Sequence, residues 1–152
     1  MSGTLVVVPC GRRKIWDTDP NAGPTAARDA YQGAPFKVNK TYAERVADAW
    51  VILSAKYGFI GPEFIIPENY NVTFDRPETG PITLEELRRQ ARGKDLYGFA
   101  TVVALGSTTY AGVMLHTFEE TGTRVIAPVT GLSLFRAMGE VRRAIDERRP
   151  FK

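Results

Sequence analysis

The sequence predicts an α/β protein, a single three-layer domain over residues 1–152 with a mostly parallel sheet of about four strands and an ordered lid. Short apolar runs of β-type residues alternate with stretches of helical period, the order that builds a parallel sheet covered on both faces. The first run, residues 4–8, is apolar without interruption, as a strand buried on both sides requires. A length of 152 residues, with 43% hydrophobic and 24% charged side chains, suits one compact core.

The strand at 4–8 ends at Pro9 and opens into the turn Cys10-Gly11-Arg12-Arg13-Lys14. Residues 17–33 are rich in Asp, Pro, Gly and Asn, and predict a long excursion with at most a short helix at 25–31. Phe36, Tyr42, Ala43, Val46 and Ala47 recur at helical spacing across 35–49, giving the first crossover helix. It hands over to a second strand at 50–53. Between residues 58 and 81, Pro62, Pro67, Pro77 and Pro81 mix with Phe59, Phe64, Tyr70 and Phe74 without a period. Proline bars a helix or a central strand and the aromatics bar disorder, which leaves a lid over the sheet edge. Thr83 opens a helix, with Glu86 in the capping-box position, running to about residue 92. A third strand at 101–105 precedes a helix at 108–119, and a fourth at 123–127 leads into a last helix at 132–148. No repeat or linker interrupts this order.

The net charge is +3. Arg142, Arg143, Arg148, Arg149 and Lys152 are spread along the last helix and tail, the pattern of a solvated face. Arg12, Arg13 and Lys14 differ, because the first turn after a buried strand is where an anionic ligand would lie; the competing reading is a salt-bridged loop. One cysteine and one histidine exclude an internal disulfide and a Cys/His zinc cage, so no metal and no cofactor is expected. No apolar run approaches the ~20 residues of a membrane helix and the start lacks a basic leader, so a cytoplasmic protein without a membrane partner is expected. Neither a Walker A loop nor a G-x-G-x-x-G fingerprint is present.

In an open α/β sheet the carboxyl ends of the parallel strands share one edge. The turns Cys10 to Lys14, Ser54-Ala55-Lys56-Tyr57, Gly106-Ser107 and Thr130-Gly131 therefore converge on one crevice. Gly106 and Ser107, like Thr130 and Gly131, precede helices; they either present N–H groups to a phosphate or carboxylate, or serve as plain N-caps. Cys10 beside three cations is either a nucleophile of lowered pKa or a small buried hydrophobe at a strand end. Lys14 and Lys56 either bind phosphate or, once desolvated, act as base or Schiff-base nucleophile. Tyr31, Phe36, Tyr57 and Tyr70 either stack a base or belong to the core. Among the loop carboxylates Asp17, Asp19, Glu63, Glu68 and Asp75, Glu63 and Glu68 sit in the lid, where a carboxylate can steady a cationic sugar or activate water. Cys10, Lys14, Lys56 and Glu63 form the candidate catalytic set. The other turn residues and aromatics are candidates for binding.

Val8-Pro9-Cys10-x-x-x-Lys14, Ala30-Tyr31-x-Gly33-x-Pro35-Phe36-Lys37, the run from Trp50 through Leu53-Ser54-Ala55-Lys56-Tyr57-Gly58 to Phe59, and Pro128-x-x-Gly131-Leu132 resemble an uncharacterised domain family of bacteria and phages. That family is similar to the peroxide-stress YaaA proteins, and its Pro-Cys-x-x-x-Lys turn is similar to one in archaeosine synthase, which acts on a deazaguanine base in transfer RNA. In archaeosine synthase Pro-Tyr follows the lysine, whereas Ile15 and Trp16 follow Lys14. The resemblance implies a Rossmann-like domain that handles a nucleobase, nucleoside or nucleotide ligand. The expected activity is that of an N-glycosidase or base-transferring enzyme acting on a nucleoside or modified nucleic acid. The alternatives are a noncatalytic nucleotide sensor or DNA-binding accessory, whose basic tail tracks phosphates, and a purely structural partner.

Overall fold

The computed structural model describes residues 3–152. In chain order the elements are β1 (Thr4–Pro9), β2 (Thr25–Ala26), α1 (Ala27–Ala30), α2 (Ala34–Val46), β3 (Ala49–Ser54), β4 (Gly58–Ile60), β5 (Ile65–Ile66), α3 (Leu84–Gly93), β6 (Thr101–Ala104), α4 (Thr108–Phe118), β7 (Arg124–Ile126) and α5 (Leu134–Asp146).

Strand β1 lies at the centre because both of its faces are apolar. Val6 and Val8 enter one core with Phe36 and Tyr42 of α2 and Val141 and Ile145 of α5. Leu5 and Val7 enter the other with Leu87 of α3 and Met114 and Phe118 of α4. The period of two along a strand thus splits one hydrophobic run between two helical layers. The result is the expected three-layer arrangement.

The main sheet has five strands in the order β4-β3-β1-β6-β7, one more than expected. All neighbours are parallel except β3 and β4, which pair antiparallel with Leu53 opposite Phe59. The additional strand is the start of the region read as a lid. Gly58 turns the chain back with a φ of 79°, a conformation open to glycine but strained for other residues. Gln90 of α3 then bridges the turn, its Oε1 accepting from Phe59 N–H at 2.8 Å and its Nε2 donating to the Tyr57 carbonyl at 3.0 Å. The rest of residues 58–81 crosses the strand ends. It includes β5, which pairs antiparallel with β2, and a 3-10 turn at Pro77–Thr79.

Two helix starts need comment. Thr83 caps α3 as expected, its Oγ1 accepting from Glu86 N–H at 3.2 Å. The Glu86 carboxylate pairs with Arg89 instead of returning to close the capping box. Helix α5 begins later than expected, at Leu134, with Ser133 Oγ accepting from Arg136 N–H at 3.3 Å. Gly131 has a φ of 83°, which cannot continue into an α-helix. Thr130 and Gly131 therefore form an exposed turn and not a helix N-terminus. Among the described residues no helix is long and apolar enough to cross a membrane.

Candidate functional site

The chain leaves β1 for β3 on one side and later returns to β6 on the other, so the order of strands divides between β1 and β6. Beyond their carboxyl ends two connections depart in opposite directions and leave a crevice. A cleft of about 580 Å³ opens there.

Its two walls differ in chemistry. One is apolar, made by Val129, Leu132, Leu134, Ala137 and Met138 from the approach to α5 and its first turns. The other is polar and cationic: Cys10, Gly11, Arg12 and Lys14 follow β1, and Asn71, Thr73, Asp75 and Arg76 come from the crossing segment. Gly106, Ser107 and Tyr110 complete the lining at the start of α4. Gly106 is needed for close approach, since a Cβ there would lie 3.0 Å from Ala111 N. Ser107, the N-cap of α4, accepts no hydrogen bond on its side chain from the first turn, so that turn's N–H groups lack a side-chain cap on the cleft side.

Lys14 is held by its backbone. Its N–H donates to Asp17 Oδ2 at 2.8 Å while its carbonyl accepts from Asp17 N–H at 2.9 Å. A β-bridge to Tyr31 and the Gln32 N–H to Arg13 carbonyl bond, 2.9 Å, clamp the turn against the end of α1. The side chain is only 7% exposed. Its Nζ lies 4.5 Å from the centre of the Tyr70 ring and donates to the Arg12 carbonyl at 3.3 Å. Among the described residues it makes no ion pair. Burial pulls its pKa below the ordinary lysine value, against weaker opposing effects of Cys10 and Asp17. The arginines on the α3–α4 face behave differently: Arg88 and Arg92 are paired with Glu119 and Glu120.

At Cys10 burial favours the second of its two readings, a small hydrophobe at a strand end. Burial pushes its thiol up, outweighing hydrogen bonds and the charge of Lys14 that act the other way. Arg12 and Arg13 are exposed and do not contribute to the shift. Cys10 is a protonated thiol at neutral pH, its Sγ 3.9 Å from Tyr110 Oη.

Behind the cationic wall runs a set of buried hydroxyls. Tyr70 Oη lies 2.5 Å from Tyr31 Oη and 2.9 Å from Ser54 Oγ. Ser54 Oγ also accepts from the N–H groups of Lys56 and Tyr57, at 3.2 and 3.1 Å. A second link joins Thr73 Oγ1 to Tyr110 Oη at 3.2 Å. Tyr70 and Thr73 thus pin the crossing segment to the sheet edge. Burial raises the pKa of Tyr31, Tyr70 and Tyr110, so all three stay as neutral phenols.

The sequence candidates divide accordingly. Cys10, Gly11, Arg12, Lys14, Tyr70, Gly106 and Ser107 line the cleft. Ser54 and Tyr57 stand behind it, Tyr57 packing edge-on against Tyr70. Lys56 is exposed, with Nζ 5.7 Å from the Tyr70 ring centre. Tyr31 and Phe36 are core residues packed on each other at 5.2 Å, so neither offers a face to a base. Arg13, Thr130 and Gly131 lie outside the lining. Glu63 is 76% exposed and paired with Arg28, away from the cleft. The carboxylate in the lining is that of Asp75. The sequence reading gave no sign of Asn71, Arg76, Tyr110 or the apolar wall, since nothing local marks a residue of a helix start or loop as facing a distant turn.

These features define an α/β protein with a two-walled cleft where its strand order divides. Within that class the chain belongs to the Family of unknown function DUF6884, whose profile matches residues 5–142. It is 42% identical over 110 residues to the "Uncharacterized protein YfjM" of Bacillus subtilis (strain 168), covering 72% of this chain and 73% of that protein. Among solved structures it is similar to AF0587, a protein of unknown function, with a TM-score of 0.45 and 16% identity; the match covers 100% of this chain and 48% of the other.

Proposed function

We propose that the cleft binds a nucleoside or nucleotide and that the protein is a Rossmann-like N-glycosidase or base-transferring enzyme. One observation carries this reading: an apolar wall faces a wall whose cations, Arg12, Lys14 and Arg76, have no ion-pair partner among the described residues. A nucleotide has the same division, with a flat base at one end, phosphate at the other and a sugar between them. Arg12, Arg76 and the first turn of α4 hold the phosphate. Val129, Leu132 and Met138 supply the surface for the base. Asp75 stabilises the positive charge that grows on the sugar as the N-glycosidic bond lengthens, taking the role first considered for Glu63. The resemblance of the turn from Pro9 and Cys10 to Lys14 to one in archaeosine synthase supports a base as the group handled. A tail that tracks DNA is the weaker alternative, because Arg143 and Arg149 are already paired with Glu140 and Glu147.

The test is a thermal-melting series with nucleobases, nucleosides, mononucleotides and inorganic phosphate, since ligand binding raises apparent stability by mass action. A mononucleotide is expected to stabilise the protein more than phosphate or base alone, and the double variant Arg12→Ala, Arg76→Ala to abolish the response. Asp75→Asn is expected to retain the melting shift and lose base release, followed by chromatography. A flat response to every small molecule would end this reading.

A further inference from the structure

The cleft holds a buried amine that phosphate binding does not require. Lys14 is the least exposed of the cationic lining residues, it makes no ion pair among the described residues, and burial outweighs the opposing charge of Asp17. The Cys10 thiol and the phenols of Tyr31 and Tyr70 are neutral, while Asp17 Oδ2 is engaged by the Lys14 backbone N–H at 2.8 Å. The Arg12 carbonyl, which accepts from Nζ at 3.3 Å, is a neutral partner. Phosphate contacts fall to exposed Arg12 and Arg76 and to the α4 start, which leaves Lys14 deeper in the cleft.

We infer that Lys14 Nζ is a nucleophile for an aldehyde carbonyl, forming a reversible imine with C1 of the ring-opened form of a phosphorylated sugar. The inference rests on the reading of the cleft as a sugar-phosphate site. The nitrogen lone pair attacks C1, and the C=O π pair moves to oxygen. The resulting carbinolamine loses that oxygen with two protons as water, and a C=N bond remains. Burial supplies what an exposed lysine lacks, because desolvation disfavours the ammonium form and frees the lone pair. Loss of a base from a nucleoside phosphate generates such an aldehyde, so the imine would retain the sugar after the base has left.

The experiment uses the unmodified chain. 2-Deoxyribose 5-phosphate and cyanoborohydride are added near neutral pH, and the reduced adducts are located by peptide mass mapping. Lys14 is expected to be labelled faster than the exposed Lys56, because burial disfavours its ammonium form. Unphosphorylated deoxyribose should label Lys14 more slowly, and Lys14→Met should lose this adduct while the exposed lysines react as before. The wild-type map decides the matter even if that variant folds poorly. Labelling of Lys14 no faster than of Lys56 overturns the inference. If mononucleotides still stabilise the protein in that case, the cleft reading survives without it; if they do not, both fail.

Discussion

On the hydroxyl side of Tyr70 each polar group has partners within the fold: Ser54 Oγ meets Tyr70 and two backbone N–H groups, and Gln90 bridges both strands of the adjoining turn. On the ring side, Lys14 and Lys56 place ammonium groups 4.5 and 5.7 Å from the ring centre, and neither is ion-paired among the described residues. The same aromatic separates a saturated scaffold from an unsaturated surface. Natural folds leave buried charge without a partner at a cost, so the unsaturated side is where an external group is expected.

Substitutions on the two sides should therefore act on different observables, and stability separates them. Gly58→Ala on the scaffold side should have the largest effect, because the added Cβ would lie 2.1 Å from Gln90 Oε1 at a φ of 79°. A loss of about 2–4 kcal/mol is expected in urea unfolding. Tyr70→Phe leaves the Tyr31 and Ser54 hydroxyls without their shared partner and should cost about 1–3 kcal/mol. Lys14→Met on the other side should leave stability unchanged or raise it by up to about 1 kcal/mol, since it removes a desolvated charge. A loss as large as that of Tyr70→Phe would erase the comparison and make Lys14 part of the scaffold.

The same variant gives a pH test. The unfolded chain keeps the Lys14 proton up to the ordinary lysine value of 10.5, whereas the folded chain releases it at lower pH. Between the two values the unfolded state binds more protons, so this group makes stability rise with pH. Cys10 acts in the opposite sense above 9.0, because its thiol is harder to ionise when folded. The difference between wild type and Lys14→Met isolates the lysine: relative to the variant, the wild type should gain stability as pH rises toward 10.5. Arg12→Ala should change stability least, by no more than about 0.5 kcal/mol. It should still weaken mononucleotide affinity by about ten-fold in calorimetric titration, as loss of one charge-assisted contact implies.

The layers were legible because β1 carries its apolar residues on both faces, α2 announces its period and α3 its capping residue. The antiparallel β4 was not, since three residues between a tight turn and Pro62 have no period of their own and are defined by pairing with β3. Lys14 and Ser107 could be placed at the crevice from their position after strands. Glu63 was misplaced because its direction is set by Arg28, which is remote in sequence. At Cys10 two readings stood open for a related reason: its neighbours in sequence are cations, but in space Ala55, Tyr70 and Tyr110 join Lys14 around it, and burial decides its ionisation.

The two walls of the cleft come from distant parts of the chain, one beginning at Pro9 and the other ending at Met138. During synthesis the cationic turn emerges early, while its apolar counterpart must wait for the start of α5. A ribosome-bound chain that has not yet released Met138 has the cations without the opposing surface, and so lacks any pocket that could retain a small molecule. Occupancy is thereby coupled to synthesis of the start of α5, and a ligand that binds this cleft would act late in the folding of this domain and not as a template for it.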